Sequence, residues 1–269
     1  MKISEAIRLL SEAGIDSARR DAREIFVRIG GFKLSELIIS DAEANSLKVC
    51  EAIARRAQRE PLQYIIGEVD FYKERYTVSP ECLIPRSDTE LLVDYAVRNL
   101  PEGESFADLC TGSGCVAIST LKNTKNTRAV AVDISEGALA LARKNAEQNG
   151  VSDRLSFVLK DVKGEVLEGE FFAILSNPPY VTDEEYTRLE PEIYHEPKLA
   201  FVGGEDGLDF YKSILSLYIN KIKPEGFLAF EIGFEQGDAL RALAKENGAT
   251  AEILKDLSGN DRVAVIKRA

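Results

Sequence analysis

The chain has 269 residues, with 34 lysines and arginines against 45 aspartates and glutamates, so its formal net charge is −11. Its hydrophobic fraction of 45% and charged fraction of 29% are typical of folded proteins and exclude a disordered or collagen-like chain. No apolar run approaches the roughly 18 residues that span a bilayer, and the first residues are amphipathic, unlike a signal peptide. We therefore expect a cytoplasmic protein with no membrane partner.

Histidine and cysteine are scarce, which narrows the possible chemistry. The only histidine is His195, and the cysteines, Cys50, Cys82, Cys110 and Cys115, form no zinc-binding CxxC pair. The sequence therefore predicts no metal site, and we expect the cysteines to be reduced thiols. The acidic net charge argues against a stable complex with nucleic acid, since such binding needs clustered lysines and arginines.

The first sixty residues predict a small helical domain. Apolar residues recur at helical spacing over two segments that end at Gly14 and Gly30, and further helix runs to the Glu60-Pro61 pair. This segment holds 11 basic and 10 acidic side chains, so it is nearly neutral while the rest of the chain is acidic. We assign residues 1–62 to this domain.

A segment of different composition follows. Short aromatic and β-branched runs at 64–66, 69–72 and 76–78 are separated by turn residues, a pattern that predicts a β-hairpin. We assign residues 63–82 to a hairpin linker.

From residue 83 to the C-terminus, buried strands alternate with helical segments. The predicted strands are 106–109, 129–132, 155–158, 172–175, 227–230 and 263–266. This alternation predicts the α/β class, with a Rossmann-like domain and a mostly parallel sheet over residues 83–269. Because ligands of such sheets bind beyond the carboxyl ends of the strands, the residues directly after each strand are candidate site residues.

A glycine-rich loop follows the first of these strands. The loop consists of Cys110, Thr111, Gly112, Ser113 and Gly114. Its two glycines, with Ala117, match the GxGxxG/A spacing that lets the backbone and a helix N-terminus approach a ligand. Asp133 ends the next strand, where a carboxylate can accept hydrogen bonds from both hydroxyls of a ribose. The alternative is that Asp133 caps the helix that begins near Ser135.

The loop and Asp133 suit a nicotinamide dinucleotide and S-adenosylmethionine equally well, because both ligands carry an adenosine. Asp108, near the tip of the strand before the loop, favours S-adenosylmethionine, since a carboxylate suits a cationic amino-acid group better than a pyrophosphate. After the third strand, Asp161 can reach an adenine amino group while Val162 packs against the ring. A solvated turn is the alternative interpretation of Asp161.

Asn177, Pro178, Pro179 and Tyr180 directly follow the fourth strand. Two successive prolines fix φ and remove two backbone donors, so the carbonyl oxygens are free to accept. Asn177 adds a side-chain acceptor and Tyr180 a flat ring, and together these groups can hold a planar NH2 group by its hydrogens and one face. A rigid Asn-Pro turn is the alternative.

The glycine loop and this Asn-Pro-Pro-Tyr motif together resemble the class I S-adenosylmethionine-dependent amino-methyltransferases, which include adenine methylases of nucleic acid and glutamine methylases of protein. Further runs resemble only the glutamine methylases of release factors, the HemK/PrmC family, and extend the resemblance over essentially the whole chain. These runs are 60–65, 83–86, 89–90, 197–208, 231–233 and 256–262.

The resemblance implies a class I methyltransferase that transfers a methyl group from S-adenosylmethionine to the glutamine side-chain nitrogen in the Gly-Gly-Gln motif of class I peptide chain release factors. It implies catalytic roles for Asn177, Pro178, Pro179 and Tyr180, with Asn177 also beside the cofactor, and substrate recognition by the helical domain. Methylation of adenine in nucleic acid is the nearest alternative, although no basic target-recognition segment is evident. A dinucleotide-dependent oxidoreductase and a non-catalytic binding module are more distant alternatives.

One motif departs from the family pattern. The family commonly has Pro-Arg-Pro-Glu-Thr-Glu, and this chain has serine and aspartate at the third and fourth of these positions, 87 and 88. Ser87 and Glu90 still fit a capping box, so we expect the next helix to begin there.

Overall fold

Two structural units make up the chain in the computed structural model, which describes residues 1–269. The helical unit comprises Met1–Glu68 together with Glu190–His195, and the sheet unit comprises Val69–Leu189 and Glu196–Ala269. The helical unit therefore takes six residues from a distant part of the sequence.

Five helices form most of the helical unit. They are α1 (Ile3–Glu12), α2 (Ala18–Arg28), α3 (Leu34–Ile39), α4 (Leu47–Ala57) and α5 (Leu62–Ile66). Their apolar faces meet in one core that includes Leu10, Phe26 and Ile53. The expectation of extended structure at 64–66 was wrong, because these residues form α5, in which Ile65 packs into this core.

The hairpin is shorter than its predicted segment. Strands β1 (Glu68–Phe71) and β2 (Glu74–Thr77) pair with each other. Tyr76 is fully buried, and its hydroxyl lies 2.6 Å from the Ser119 hydroxyl, while the Thr77 N–H donates to Asn145 Oδ1 at 2.8 Å. The second strand is therefore fixed to the sheet unit.

Seven strands form the main sheet. They are β3 (Ser105–Leu109), β4 (Arg128–Asp133), β5 (Leu155–Leu159), β6 (Phe171–Ser176), β7 (Ile222–Glu231), β8 (Ala249–Lys255) and β9 (Asp261–Arg268). Their order is β5-β4-β3-β6-β7-β9-β8, and all neighbours are parallel except β9, which is antiparallel to β7 and β8. All six predicted strands are confirmed. Strand β8 was not predicted; it is an edge strand whose residues alternate in exposure.

Helices cover both faces of this sheet. They are α6 (Glu90–Asn99), α7 (Cys115–Asn123), α8 (Glu136–Asn149), α9 (Asp183–Tyr186), α10 (Asp209–Tyr218) and α11 (Gly237–Glu246). Along β7, Phe227 packs into one hydrophobic cluster and Leu228 into another, as expected for a sheet buried on both sides. None of the helices combines the length and apolarity needed to cross a membrane.

The predicted capping box before α6 was wrong. Residues 87–89 form a 3-10 turn, and neither the turn nor α6 has a side-chain cap. The Glu90 carboxylate accepts a hydrogen bond from the Tyr72 N–H of the hairpin turn at 2.8 Å. Because the Glu90 carboxylate makes this long-range contact, it does not complete a capping box with Ser87.

A buried ion cluster attaches residues 190–195 within the helical unit. Arg56 donates to Asp21 and to Glu192, both at 2.9 Å, and Arg59 donates to Glu192 at 2.7 Å. The side chains of Arg56 and Asp21 are only 8% and 1% exposed. At this depth, a charge that loses its partner has no water to replace it.

Arg56→Ala should therefore lower the free energy of unfolding by up to roughly 3–5 kcal/mol. It leaves the buried Asp21 carboxylate with only the Ser17 hydroxyl and the largely exposed Arg20 as partners. Urea denaturation followed by circular dichroism measures this loss. The matched control is Arg55→Ala, which removes an exposed pair with Glu60 and should cost less than about 1 kcal/mol. Equal losses in the two variants would show that the cluster does not stabilise the unit.

Candidate functional site

Three strands place the residues that follow them at one edge of the sheet. Leu109 at the end of β3 is paired with Val132 of β4 on one side and with Ser176 of β6 on the other. The glycine loop, Asp133 and Asn177 therefore come next to one another. A cavity of about 240 Å³ lies at this edge.

Most of the predicted site residues line this cavity. They are Cys110, Thr111, Gly112, Ser113, Asp133, Asp161, Val162, Asn177 and Pro179. Four other predicted residues do not belong to the lining: Asp108, Gly114, Pro178 and Tyr180.

The glycine loop adopts left-handed backbone at three positions, with φ of 59° at Cys110, 54° at Gly112 and 81° at Gly114. A Cβ at residue 114 would lie 3.0 Å from Ile118 and 3.1 Å from Ala142, so this glycine allows α7 and α8 to pack closely. A side chain pays roughly 1–2 kcal/mol for the left-handed conformation, and Cys110 carries that strain at the cavity wall.

Asp108 lies behind the loop and is 1% exposed. Its Oδ2 accepts hydrogen bonds from the Thr111 hydroxyl at 2.5 Å and from the Ala117 N–H at 3.1 Å. Burial raises the pKa of Asp108 to about 7, against the opposing effect of these two donors. Asp108 therefore connects the glycine loop to the first turn of α7 through hydrogen bonds. Its contact with a cofactor stays a prediction.

Asp133 holds the other side of the loop. Its Oδ2 accepts from the Gly112 N–H at 2.8 Å and its Oδ1 from the Ser135 N–H at 2.9 Å. Burial raises the pKa of Asp133, and the backbone donors oppose that rise. The helix cap is Ser135, whose hydroxyl accepts from the Ala138 N–H, so the alternative reading of Asp133 as the cap of α8 was wrong.

Asp161 and Val162 form the wall after β5. Asp161 Oδ1 accepts from the Lys163 N–H at 2.9 Å, which makes Asp161 a turn residue that also lines the cavity. Val162 is 4% exposed. Their contact with an adenine ring stays a prediction.

The Asn-Pro-Pro-Tyr motif is held from two sides. Asn177 Nδ2 donates to the Thr89 hydroxyl at 3.1 Å, and no protein group donates to Asn177 Oδ1. The Tyr180 hydroxyl donates to Glu231 Oε1 at 3.2 Å. The asparagine therefore keeps an acceptor oxygen for a ligand, whereas the tyrosine is tied to a buried carboxylate.

Sequence reasoning gave no role to Thr89 and Glu231, which support this motif. Both are 2% exposed, and burial raises the pKa of Glu231 to about 7. One signal could have identified Glu231: an acidic residue directly follows the apolar run of a buried strand, at the carboxyl end where ligands bind.

A third buried acid joins two segments of the cavity lining. Glu196, 4% exposed, accepts from the Ile84 N–H at 2.9 Å and pairs with Arg86. Arg86 and Pro197 both line the cavity, so Glu196 fixes the two segments to each other. Glu196 lies in an irregular stretch of the chain, so no sequence pattern predicts this role.

The lining suits a ligand that carries an adenosine. Ile134, Val162 and Phe210 offer apolar surface for a flat base. Asp133 stands beside the loop, and each of its oxygens has a second lone pair available for a ribose hydroxyl. The residues present thus fit the expected cofactor.

Comparison with known proteins agrees with this geometry. Residues 3–67 match the family model of the PrmC N-terminal domain, and residues 87–197 match the model of the methyltransferase small domain. A methyltransferase structure from Pyrococcus furiosus, 21% identical, has a TM-score of 0.54 over 71% of this chain and 86% of that one, which supports the fold alone.

Relatives match over nearly the full chain. The release factor glutamine methyltransferase of Cereibacter sphaeroides is 37% identical over 277 residues, covering 98% of this chain and 97% of the relative. That of Caulobacter vibrioides is 35% identical over 264 residues, covering 95% and 91%. This extent of similarity confirms the resemblance seen in the motifs: the chain belongs to the release factor glutamine methyltransferase family.

Proposed function

We propose that this protein transfers a methyl group from S-adenosylmethionine to the side-chain amide nitrogen of the glutamine in the Gly-Gly-Gln motif of class I release factors. The observation that carries the proposal is Asn177, which lines the cavity, donates to Thr89 and keeps a free acceptor oxygen. Relatives named for glutamine methylation support this function over the alternative, methylation of adenine. Because the proposed substrate is a translation factor, we propose that the protein acts in the cytoplasm.

The chemistry needs orientation more than a strong base. A carboxamide nitrogen is a poor nucleophile, because its lone pair is delocalised into the carbonyl group. Asn177 Oδ1 and the Pro178 carbonyl oxygen would accept its two hydrogens, aim the nitrogen and stabilise the positive charge that develops on it. S-adenosylmethionine supplies the electrophilic methyl group as part of a sulfonium.

Neither a histidine nor an ionised cysteine is available in the cavity lining to act as a general base toward the amide. The single histidine, His195, is exposed and is not among the lining residues. Burial raises the pKa of Cys110, and it raises the pKa of Cys115 to about 12, so both thiols keep their protons at neutral pH. We therefore propose that the amide proton leaves to solvent after transfer.

The cofactor would be held by the glycine loop and Asp133, with Asp161 and Val162 along the adenine.

Asp133→Ala removes the acceptor proposed for the ribose and also releases the N–H groups of Gly112 and Ser135. It should weaken S-adenosylmethionine binding by roughly 1–3 kcal/mol in titration calorimetry. Asp238→Ala, which removes a 97% exposed acid of the same unit, should leave the affinity unchanged. Equal affinities in all three proteins would exclude Asp133 from the cofactor site.

The direct test of the function is mass spectrometry of a class I release factor incubated with this protein and S-adenosylmethionine. One peptide, that of the Gly-Gly-Gln motif, should gain about 14 Da, and replacing its glutamine with glutamate should abolish the gain.

Asn177→Ala should lower turnover by roughly 100-fold or more, with little change in cofactor affinity, because one preorganised acceptor is lost. Near wild-type turnover in this variant would show that the Asn-Pro-Pro-Tyr motif is only a rigid turn with no role in catalysis.

We propose that the helical residues 1–62 recognise the release factor. Three apolar side chains on the short helix α3 are exposed: Leu34, Ile38 and Ile39, at 53%, 62% and 84%. Contiguous exposed apolar groups mark protein interaction sites, and the near-neutral charge of this segment sets it apart from the acidic remainder.

Replacing Ile38 and Ile39 together with serine should raise the KM for release factor roughly tenfold, since anchoring apolar contacts dominate protein interfaces. The affinity for S-adenosylmethionine should not change. Leu257→Ser, which removes a fully exposed leucine from the sheet unit, is the control and should leave KM unaltered. An unchanged KM in the double variant would remove α3 from the recognition surface.

A further inference from the structure

The 201–207 segment packs against the backbone that follows Pro178. A Cβ added at Gly203 would lie only 2.5 Å from the Pro179 carbonyl oxygen, so a larger residue would have to displace the motif. A Cβ at Gly207 would lie 2.3 Å from the Tyr180 carbonyl oxygen. No backbone N–H donates to the Pro178 carbonyl oxygen. The segment therefore holds the end of the Asn-Pro-Pro-Tyr motif and leaves the proposed acceptor uncovered.

Hydrogen bonds also join the motif to this segment. The Val181 N–H donates to the Phe201 carbonyl oxygen at 2.8 Å, and the Gly203 N–H donates to the Val181 carbonyl oxygen at 2.9 Å. Val181 and Val202 form a parallel bridge. The chain that leaves the two prolines thus runs alongside the 201–207 segment in a fixed register.

Gln236, directly before α11, connects both pieces of backbone. Its Nε2 donates to the Tyr180 carbonyl oxygen at 3.2 Å and to the Gly207 carbonyl oxygen at 3.4 Å. Its Oε1 accepts from the Gly233 N–H at 2.9 Å, and the Tyr211 hydroxyl lies 3.2 Å from the same oxygen. Carbonyl oxygens only accept and a backbone N–H only donates, so one orientation of the Gln236 amide alone satisfies these partners.

The two prolines transmit this restraint to the Pro178 carbonyl group. The peptide unit between Pro178 and Pro179 is planar, and the ring of Pro179 locks the rotation φ that follows it. The Pro178 carbonyl therefore keeps a fixed direction relative to the backbone of Pro179 and Tyr180. Contacts that hold Pro179 and Tyr180 consequently also aim the Pro178 oxygen.

We propose that Gln236 is a positioning residue, which holds the Tyr180 carbonyl and so fixes the direction in which the Pro178 carbonyl meets the substrate NH2 group. Gly203 supports this role by its close packing on Pro179. Gln236 is not among the residues that line the cavity, and it does not touch the substrate in this account. The kinetic consequence rests on the proposed function, whereas the contact between Gln236 and Tyr180 can be observed in the free protein.

Steady-state kinetics on a release factor form the first test. Gln236→Glu keeps an acceptor for the Gly233 N–H and loses the NH2 that donates to Tyr180. It should lower kcat roughly tenfold or more, because a small displacement of an aligning group slows the reaction steeply. The KM for release factor and the affinity for S-adenosylmethionine should change little. The matched control is Gln148→Glu, which removes a donor to the Arg75 carbonyl on an exposed part of the same unit and should match the wild type.

The pH profile of Gln236→Glu distinguishes positioning from a general loss of structure. A protonated carboxyl group at this position can again donate to the Tyr180 carbonyl. Nearby carbonyl oxygens should raise the pKa of the new glutamate above its ordinary value of about 4.3. The ratio of variant to wild-type kcat should therefore increase as the pH falls toward this pKa. Gly203→Ala should also lower kcat, without this response to pH. A near wild-type kcat for Gln236→Glu, or a ratio that stays constant with pH, would overturn the inference.

The second test is nuclear magnetic resonance of the free protein. Tyr180-Val181 is the only Tyr-Val pair in the sequence, so labelling tyrosine carbonyls with 13C and valine with 15N gives one coupled signal. The Tyr180 carbonyl carbon should shift to lower frequency in Gln236→Glu at neutral pH, because it loses a donor. It should also shift in Gly203→Ala and stay in place in Gln148→Glu.

An unchanged Tyr180 signal in Gln236→Glu would overturn the inference. If the signal shifts as expected but no release factor is methylated by the wild type, the proposed function fails, while the contact through which Gln236 holds the motif stands.

Discussion

The parallel pairing of β3 with both β4 and β6 is the constraint on which the site depends. This pairing brings three loops to one edge of the sheet, where no further strand residues exist to satisfy their backbone groups. The loops must find their hydrogen bonds elsewhere. Acidic side chains supply acceptors for two of these backbone groups: Asp133 for the Gly112 N–H and Asp108 for the Ala117 N–H. In the third loop, Glu231 accepts from the side-chain hydroxyl of Tyr180.

These acids stabilise the loops at a cost that depends on pH. Burial raises the pKa values of Asp108 and Glu231 from ordinary values of 3.8 and 4.5 to about 7. Because the folded protein binds these protons more tightly than the unfolded chain, the resulting stability is complete below pH 4 or so and is lost as the pH rises through about 7. The ionised forms are nevertheless the better acceptors. The fold thus gives up stability near neutral pH for fixed loop geometry.

Sequence reasoning predicted the elements whose signal is local. Six buried strands, the glycine loop and the Asn-Pro-Pro-Tyr motif were recognisable from short runs, and β3, β4 and β6 bring those motifs together. Interactions between residues that are far apart in the sequence could not be predicted from such short runs. Glu90 forms no capping box because Tyr72, 18 residues away, uses its carboxylate, and Glu192 joins the helical unit through Arg56, 136 residues away. The supporting contacts of Thr89 and Glu231 belong to this second kind.

The central claim is that Asn177 and Pro178 present two acceptors to a planar amide nitrogen. A crystal structure of this protein with S-adenosylhomocysteine and a release factor tests it most directly. The glutamine side-chain nitrogen should lie about 2.9 Å from both Asn177 Oδ1 and the Pro178 carbonyl oxygen, with its free face toward the cofactor sulfur. A glutamine amide bound away from this motif, or one contacted by Asn177 Nδ2, would contradict the account.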